Sequence, residues 1–306
     1  MAGERGLLGI WHRLAPVLVA LALGATVLAA RSRFDDMQAL LAGPRLANFL
    51  IAFAILAVAN VAGALVFVSF TSRSGAVRIL GAYLLSQLAK YVPGRIWVVV
   101  LQGSLLSRVA PGELLISNVR AVVVITLAVA GAGLAFLVRP HSHMLAGGVF
   151  IATWWISTRA GDDQWARALL SLVQAVPRFG RIADALAVSV VDRERRHLRS
   201  ASLATFLVCY SLGWWLVVRV ALPDEDAMLV LATLSFSYLT GVASMLPAGI
   251  GAREATMLVL APWAGASHAD MAMLAVVSRS GLLVVDVVSA LAGSILLLRT
   301  GTGAQK

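Results

Sequence analysis

Long apolar blocks alternate with short polar connections along this chain. The blocks fall at about 14–30, 47–70, 79–92, 95–107, 118–138, 144–158, 201–221, 227–246, 252–263 and 270–298. A helix rises about 1.5 Å per residue and a bilayer core is about 30 Å thick. The run at 47–70 is long enough to span. The runs at 79–92 and 95–107 are each too short. They are joined by Tyr91-Val92-Pro93-Gly94-Arg95. Proline removes a backbone donor and glycine permits unusual φ/ψ, so the pattern predicts a helix–break–helix hairpin that enters and leaves on one side. The run at 252–263 is also short and follows Pro247-Ala248-Gly249-Ile250-Gly251.

The chain is therefore expected to be all-α and polytopic. It should hold roughly eight transmembrane helices plus the re-entrant hairpin. Each half shows two spans, a Pro/Gly-interrupted short segment, then another span. The breaks at Pro93 and Pro247 lie about half a chain apart, which suggests a two-half internal repeat. Interrupted segments at corresponding positions of two halves point to a transporter site. One transmembrane domain is expected over 1–306, with a first half 1–158, a cytoplasmic linker 159–199 and a second half 200–306.

Composition agrees with this class. Of the 306 residues, 60% are hydrophobic and only 13% charged, against about 25% charged in soluble domains. A soluble enzyme, a disordered chain and a nucleic-acid binder are excluded, despite the net charge of +10. No stretch outside the apolar runs exceeds about 40 residues, too few to bury an independent core. The single cysteine, Cys209, rules out an intramolecular disulfide and reads as a small core residue.

The charge carries topology. Of the 25 basic residues only Lys90 and Lys306 are lysine. Eight arginines crowd 159–199, at 159, 167, 178, 181, 193, 195, 196 and 199. The positive-inside rule makes that stretch cytoplasmic. Arg5 and Arg13 put the N-terminus inside, and Arg299 and Lys306 the C-terminus. The basic Met1–Arg13 segment lacks a small-residue cleavage site, so the first apolar run reads as a retained helix. A multi-pass protein with both termini cytoplasmic follows. One tension stands: the loop from Arg31 to Arg45 holds three arginines yet is external in this scheme. Residues 165–170 and 182–186 read as short amphipathic helices at the interface or as a solvated linker.

Two constellations carry candidate chemistry. The first is Gln87-Leu88-Ala89-Lys90-Tyr91-Val92-Pro93-Gly94-Arg95-Ile96-Trp97. It sets two cations, Lys90 and Arg95, around a break within an apolar region. A cation at mid-membrane costs about 2.5–3.5 kcal/mol, which suggests a use such as holding an anionic head group. Broken helix ends add free amide donors. Tyr91 and Trp97 suit an interfacial depth. The structural alternative has both cations snorkelling to lipid phosphates. The second constellation is Leu246-Pro247-Ala248-Gly249-Ile250-Gly251-Ala252-Arg253-Glu254. Gly249 and Gly251 allow close backbone approach, and Glu254 suits a helix start. Buried, Arg253 and Glu254 need partners or a ligand phosphate. No phosphate-loop Gly-Lys-Ser/Thr follows.

Arg279 and Asp286 lie seven apart on the last helix, hence on one face. They either line a polar path, pair with the Arg253 and Glu254 region, or form structural ion pairs. Arg120 and Arg219 lie near helix ends and are expected to snorkel. His141-Ser142-His143 lacks a third ligand, so no metal is expected, and no cofactor motif is present. Asp35-Asp36 offers a weaker alternative, a membrane glycosyltransferase that uses lipid-linked sugars.

Taken together, Gln87, Lys90, Tyr91, Pro93, Gly94 and Trp97, followed by Pro247 through Glu254, resemble the lysylphosphatidylglycerol synthase transmembrane (flippase-like) domain family. The second motif reads Pro-Ala-Gly where that pattern leads to Pro-Gly-Gly. The resemblance implies a bacterial cell-envelope protein that handles membrane lipids. Such a protein would move an anionic phospholipid or a polyprenyl-phosphate-linked lipid between leaflets. It does not imply synthase activity, because a soluble aminoacyl-transferase domain makes the lipid in two-part members. The chain is thus expected not to be an enzyme. Substrate-binding residues would be Gln87, Lys90, Tyr91, Pro93, Gly94, Arg95, Trp97, Pro247, Gly249, Gly251, Arg253, Glu254, Arg279 and Asp286. The remaining alternative is a non-catalytic accessory subunit beside a biosynthetic enzyme.

Overall fold

A computed structural model describes residues 31, 44–71, 75–91, 96–106, 109–139, 142–160, 195–244 and 246–301. Several expected features lie outside the described residues. These are the first apolar run, Asp35-Asp36, the break Pro93-Gly94-Arg95, His141 and the interfacial helices at 165–186.

All regular structure among the described residues is helical. Helix α1 spans Pro44–Val68 and α2 spans Ala76–Ser86. A 3-10 turn over Gln87–Tyr91 tightens the end of α2, and α3 follows at Ile96–Leu105. Helices α4 (Pro111–Val138) and α5 (His143–Ala160) complete the first half. The second half holds α6 (Arg196–Ala221) and α7 (Ala227–Ala243), then a 3-10 turn at Pro247–Gly249. Helices α8 (Ala252–Leu260) and α9 (His268–Gly301) end it.

Four of these helices, α1, α4, α6 and α9, are long and apolar enough to cross a membrane. Helices α5 and α7 have 18 and 17 residues, about 27 and 25 Å at the helical rise, just under the core thickness. The short run at 252–263 forms a half-helix. Helix α8 has nine residues, about 14 Å. Pro262 and the left-handed Gly265 (φ 76°) close off its continuation. A 3-10 turn follows α2, and another precedes α8.

Small residues set the packing, as they must where lipid removes the hydrophobic drive between helices. Gly213 of α6 faces Leu56 of α1, where an added Cβ would stand 2.7 Å from the Leu56 Cγ. Gly133 of α4 faces Ser235 of α7 at 2.8 Å by the same measure. Gly81 of α2 meets Gly293 of α9 backbone to backbone. Two buried clusters result. One joins α1, α6, α7, α8 and α9 around Trp214, Leu231 and Met271. The other joins α1, α2, α4 and α6 around Phe67, Leu114 and Leu203. The outer face of α9 leaves Val284, Val288, Leu291, Ile295 and Leu298 more than half exposed. A continuous apolar stripe of this kind suits lipid rather than water.

Scattered polar contacts stitch the helices. Gln102 of α3, fully buried, donates to the Ser86 hydroxyl at 2.9 Å, and Asn118 of α4 donates to Gln102 at 2.6 Å. Asn60 of α1 donates to Ser289 of α9 at 3.0 Å. Arg219 donates to the Pro223 carbonyl at 3.3 Å, at the end of α6. Cys209 is a half-buried free thiol.

The α2–α9 contact generates a prediction. A Cβ on Gly293 would stand 2.6 Å from the Gly81 carbonyl oxygen and 2.9 Å from the Leu85 nitrogen. Both atoms are backbone, so the helices must separate. Gly293→Ala should lower stability by about 1–3 kcal/mol. Gly103→Ala, whose Cβ meets nothing within 4 Å, should not. Thermal melts of both variants in one detergent read the difference.

Candidate functional site

The two interrupted segments meet. The turn Gln87–Tyr91 contacts the turn Pro247–Gly249, and α9 runs past both. The side chains at this junction are those that spacing singled out on α9. Lys90 Nζ lies 2.9 Å from Oδ1 and 2.8 Å from Oδ2 of Asp286. The Tyr91 hydroxyl donates to Oδ2 of the same carboxylate at 2.7 Å. Asp286 is buried at 3% exposure while Lys90 keeps 32%. Two turns toward the N-terminus of α9, Arg279 Nε donates to Glu254 Oε1, and its Nη1 donates to the Ala248 carbonyl at 2.9 Å. Asp286 thus holds the first break and Arg279 the second.

The second break is built by backbone conformation. Leu246 and Ile250 are extended on either side of the turn. Ala248 (φ 49°, ψ 15°) and Gly249 (φ 68°) are left-handed, and Gly251 has φ 88°. Ala248 is the one non-glycine residue with positive φ among the described residues. Gly249 is required for a second reason: its Cβ would stand 2.7 Å from the Gly241 Cα. Glu254 then closes the start of α8, where its Oε2 accepts from the Gly251 nitrogen at 2.6 Å. A carboxylate so placed meets the unpaired amides and the positive end of the helix.

Arg253 is bound differently from the other two cations. Its guanidinium lies 5.9 Å from the Tyr238 ring centroid, a cation–π contact. Its aliphatic stem packs on Gly241, where an added Cβ would stand 2.5 Å from the Arg253 Cγ. It makes no ion pair among the described residues. Arg279 in turn keeps one buried donor, Nη2, without a hydrogen-bond partner.

The structure brings together Lys90, Tyr91, Pro247, Gly249, Gly251, Glu254, Arg279 and Asp286, with Arg253 alongside. It does not bring in Gln87, whose side chain donates at 3.5 Å to the Tyr83 carbonyl one turn back. Trp97 stands about half exposed on α3. Pro93, Gly94 and Arg95 lie outside the described residues. Sequence reasoning missed the Ser86–Gln102–Asn118 chain that ties α2, α3 and α4 together beside the first turn. It also missed Tyr238 beneath Arg253. Single polar residues inside apolar runs were the available signal.

The chain matches no family model, no curated protein and no solved structure.

Two stability predictions follow from this geometry. Left-handed backbone costs a non-glycine residue about 1–2 kcal/mol, so Ala248→Gly should raise stability by about 1 kcal/mol. Glu254→Gln leaves Arg279 without its counter-charge in a buried setting and should cost about 3 kcal/mol. Equilibrium unfolding in mixed detergent micelles measures both shifts.

Proposed function

We propose that this chain is a flippase-like membrane protein and not an enzyme. In this reading it binds the anionic head group of a phospholipid or polyprenyl-linked lipid where its two broken segments meet, and passes it between leaflets. The observation that carries the reading is the convergence at the junction of Lys90, Arg253 and Arg279 on two interrupted helices and α9. Charged residues within an apolar helical body are costly and mark ligand or ion paths. Interrupted helices supply backbone donors at membrane depth only where something uses them. Motif resemblance to the lysylphosphatidylglycerol synthase transmembrane family points the same way.

The distribution of arginine orients the molecule. The stretch 159–199 and both termini face the cytoplasm of a plasma (inner) membrane. With no nucleotide-binding motif in the sequence, movement is facilitated or coupled to an ion. The lipid comes from a separate biosynthetic enzyme.

Reconstitution in liposomes with fluorescent anionic lipids tests the reading through leaflet exchange. Lys90→Ala and Arg253→Ala should each slow exchange about tenfold, the scale of one lost charged hydrogen bond. Exchange by both variants at the rate of the unaltered protein removes the site assignment.

A further inference from the structure

The turn that carries Lys90 and Tyr91 is a weak element on its own. A 3-10 run has poorer hydrogen-bond geometry than an α-helix, and none of the five residues of this one is buried. Where the turn sits therefore depends on what fixes α2 before it and α3 after it.

One side chain joins those two helices just short of the turn. Gln102 of α3 is fully buried and donates from Nε2 to the Ser86 hydroxyl at 2.9 Å. Ser86 is the last residue of α2, immediately before Gln87. The Ser86 hydroxyl donates in turn to the Tyr83 carbonyl at 2.7 Å. On the other side, Gln102 Oε1 accepts from Asn118 Nδ2 of α4 at 2.6 Å, and Asn118 also donates to the Leu114 carbonyl at 2.7 Å. Donation runs one way, from α4 through α3 to α2, so each bond polarises the next. At the far ends of α2 and α3, Arg78 donates to the Leu105 carbonyl at 3.1 Å, but that bond is exposed.

We infer that Gln102 is a positioning residue: by locking the end of α2 to α3 and α4, it sets the place from which Lys90 reaches Asp286. The inference rests on the reading above in one respect, that the Lys90–Asp286 pair belongs to the working site. The backbone tether of α2 to α9, Gly81 on Gly293, lies five residues before Ser86. Lys90 lies four residues beyond Ser86. Gln102 thus acts between the tether and the side chain that must reach. Asp286 is buried on a long helix, and Lys90 and Tyr91 hold it through side chains alone. A displaced turn would leave it behind. Shape does not require a carboxamide at position 102, since a methionine of similar length would fill the space. Direction does, because hydrogen bonds fix register where apolar contact tolerates sliding. A buried carboxamide is costly unless its bonds are met, and here they are.

The lysine content makes the test direct. The chain has two lysines, Lys90 and Lys306. In a Lys306→Arg background, isotope-labelled lysine therefore gives one side-chain ammonium signal, that of Lys90. Solid-state magnetic resonance of the full chain in liposomes measures the dipolar coupling of this nitrogen to labelled aspartate carboxyl carbons. The background protein should show the coupling, and Asp286→Asn should abolish it, which assigns the partner. Gln102→Met should lose the coupling, whereas the neighbouring Gly103→Ala should keep it. Combining Ser86→Ala with Gln102→Met removes acceptor and donor together, an exchange that is nearly neutral for folding. Asn118 keeps its bond to the Leu114 carbonyl in both variants. The double variant should lose the coupling too, and it decides the matter if the single variant does not fold. Full coupling in a folded Gln102→Met variant, single or double, overturns the inference. If neither variant folds, Gln102 is a folding residue and the inference falls as well. Leaflet exchange separates it from the reading above. Lost coupling with exchange slowed toward the rate of Lys90→Ala supports both. Lost coupling with exchange at the unaltered rate keeps Gln102 as the positioning residue and removes the Lys90–Asp286 pair from the transport site.

Discussion

Charge inside an apolar body must be neutralised, and one face of α9 does most of that work here. Arg279, Asp286 and Gly293 follow one another at intervals of seven, so they form a single stripe. Each meets a different part of the chain. Arg279 takes the second break, Asp286 the first, and Gly293 admits the backbone of α2 at Gly81. Two helical turns separate the charged members, about 10 Å along the axis. That spacing fixes how far apart the two interrupted segments can sit. Were α2 held off by a larger side chain at position 293, Lys90 would lose its reach to Asp286. Close helix packing and charge pairing are therefore one constraint.

Much of this was readable from residue order. Four of the long apolar runs became α1, α4, α6 and α9, and Pro/Gly placement marked the second break. The shared face of Arg279 and Asp286 followed from helix geometry alone. Pairing between elements followed only in part: Arg279 does pair with Glu254, one of the partners expected for it, whereas the Lys90–Asp286 pair did not follow. Glu254 stands next to Arg253 in sequence yet binds Arg279, because the start of α8 aims its carboxylate at the Gly251 amide and at α9. Neighbours in sequence point to different sides of a helix, so adjacency was no guide. The run at 252–263 also read longer than the helix it forms, since apolarity does not show where Pro262 and Gly265 stop it. Gln102 and Asn118 could be noticed as polar residues in apolar runs, but their mutual contact depends on how α3 lies against α4.

Ala248 connects the two kinds of information. In sequence it is one small apolar residue between Pro247 and Gly249. In the structure it is the residue forced into left-handed backbone, with its carbonyl turned to Arg279. The turn is held in that shape from outside. Gly249 and Ile250 donate back to the Leu246 and Pro247 carbonyls, each at 2.9 Å. The Gly241–Gly249 approach leaves the loop no room to relax. Strain of this kind persists only where surrounding contacts over-determine the backbone. The second break is thus a rigid piece, held by its own contacts.

The first break is held by a different kind of bond, and the difference bears on movement. Arg279 and Glu254 each bind the backbone as well as each other, through Ala248 and Gly251. Separating them would also undo the turn and the start of α8. Lys90, Tyr91 and Asp286 bind one another through side chains alone. Lys90 keeps a third of its surface exposed, on a flexible stem of four carbons. It can change partner at the cost of rotamers rather than of backbone. The physical asymmetry assigns rearrangement to the Lys90 side and anchoring to the Arg279 side.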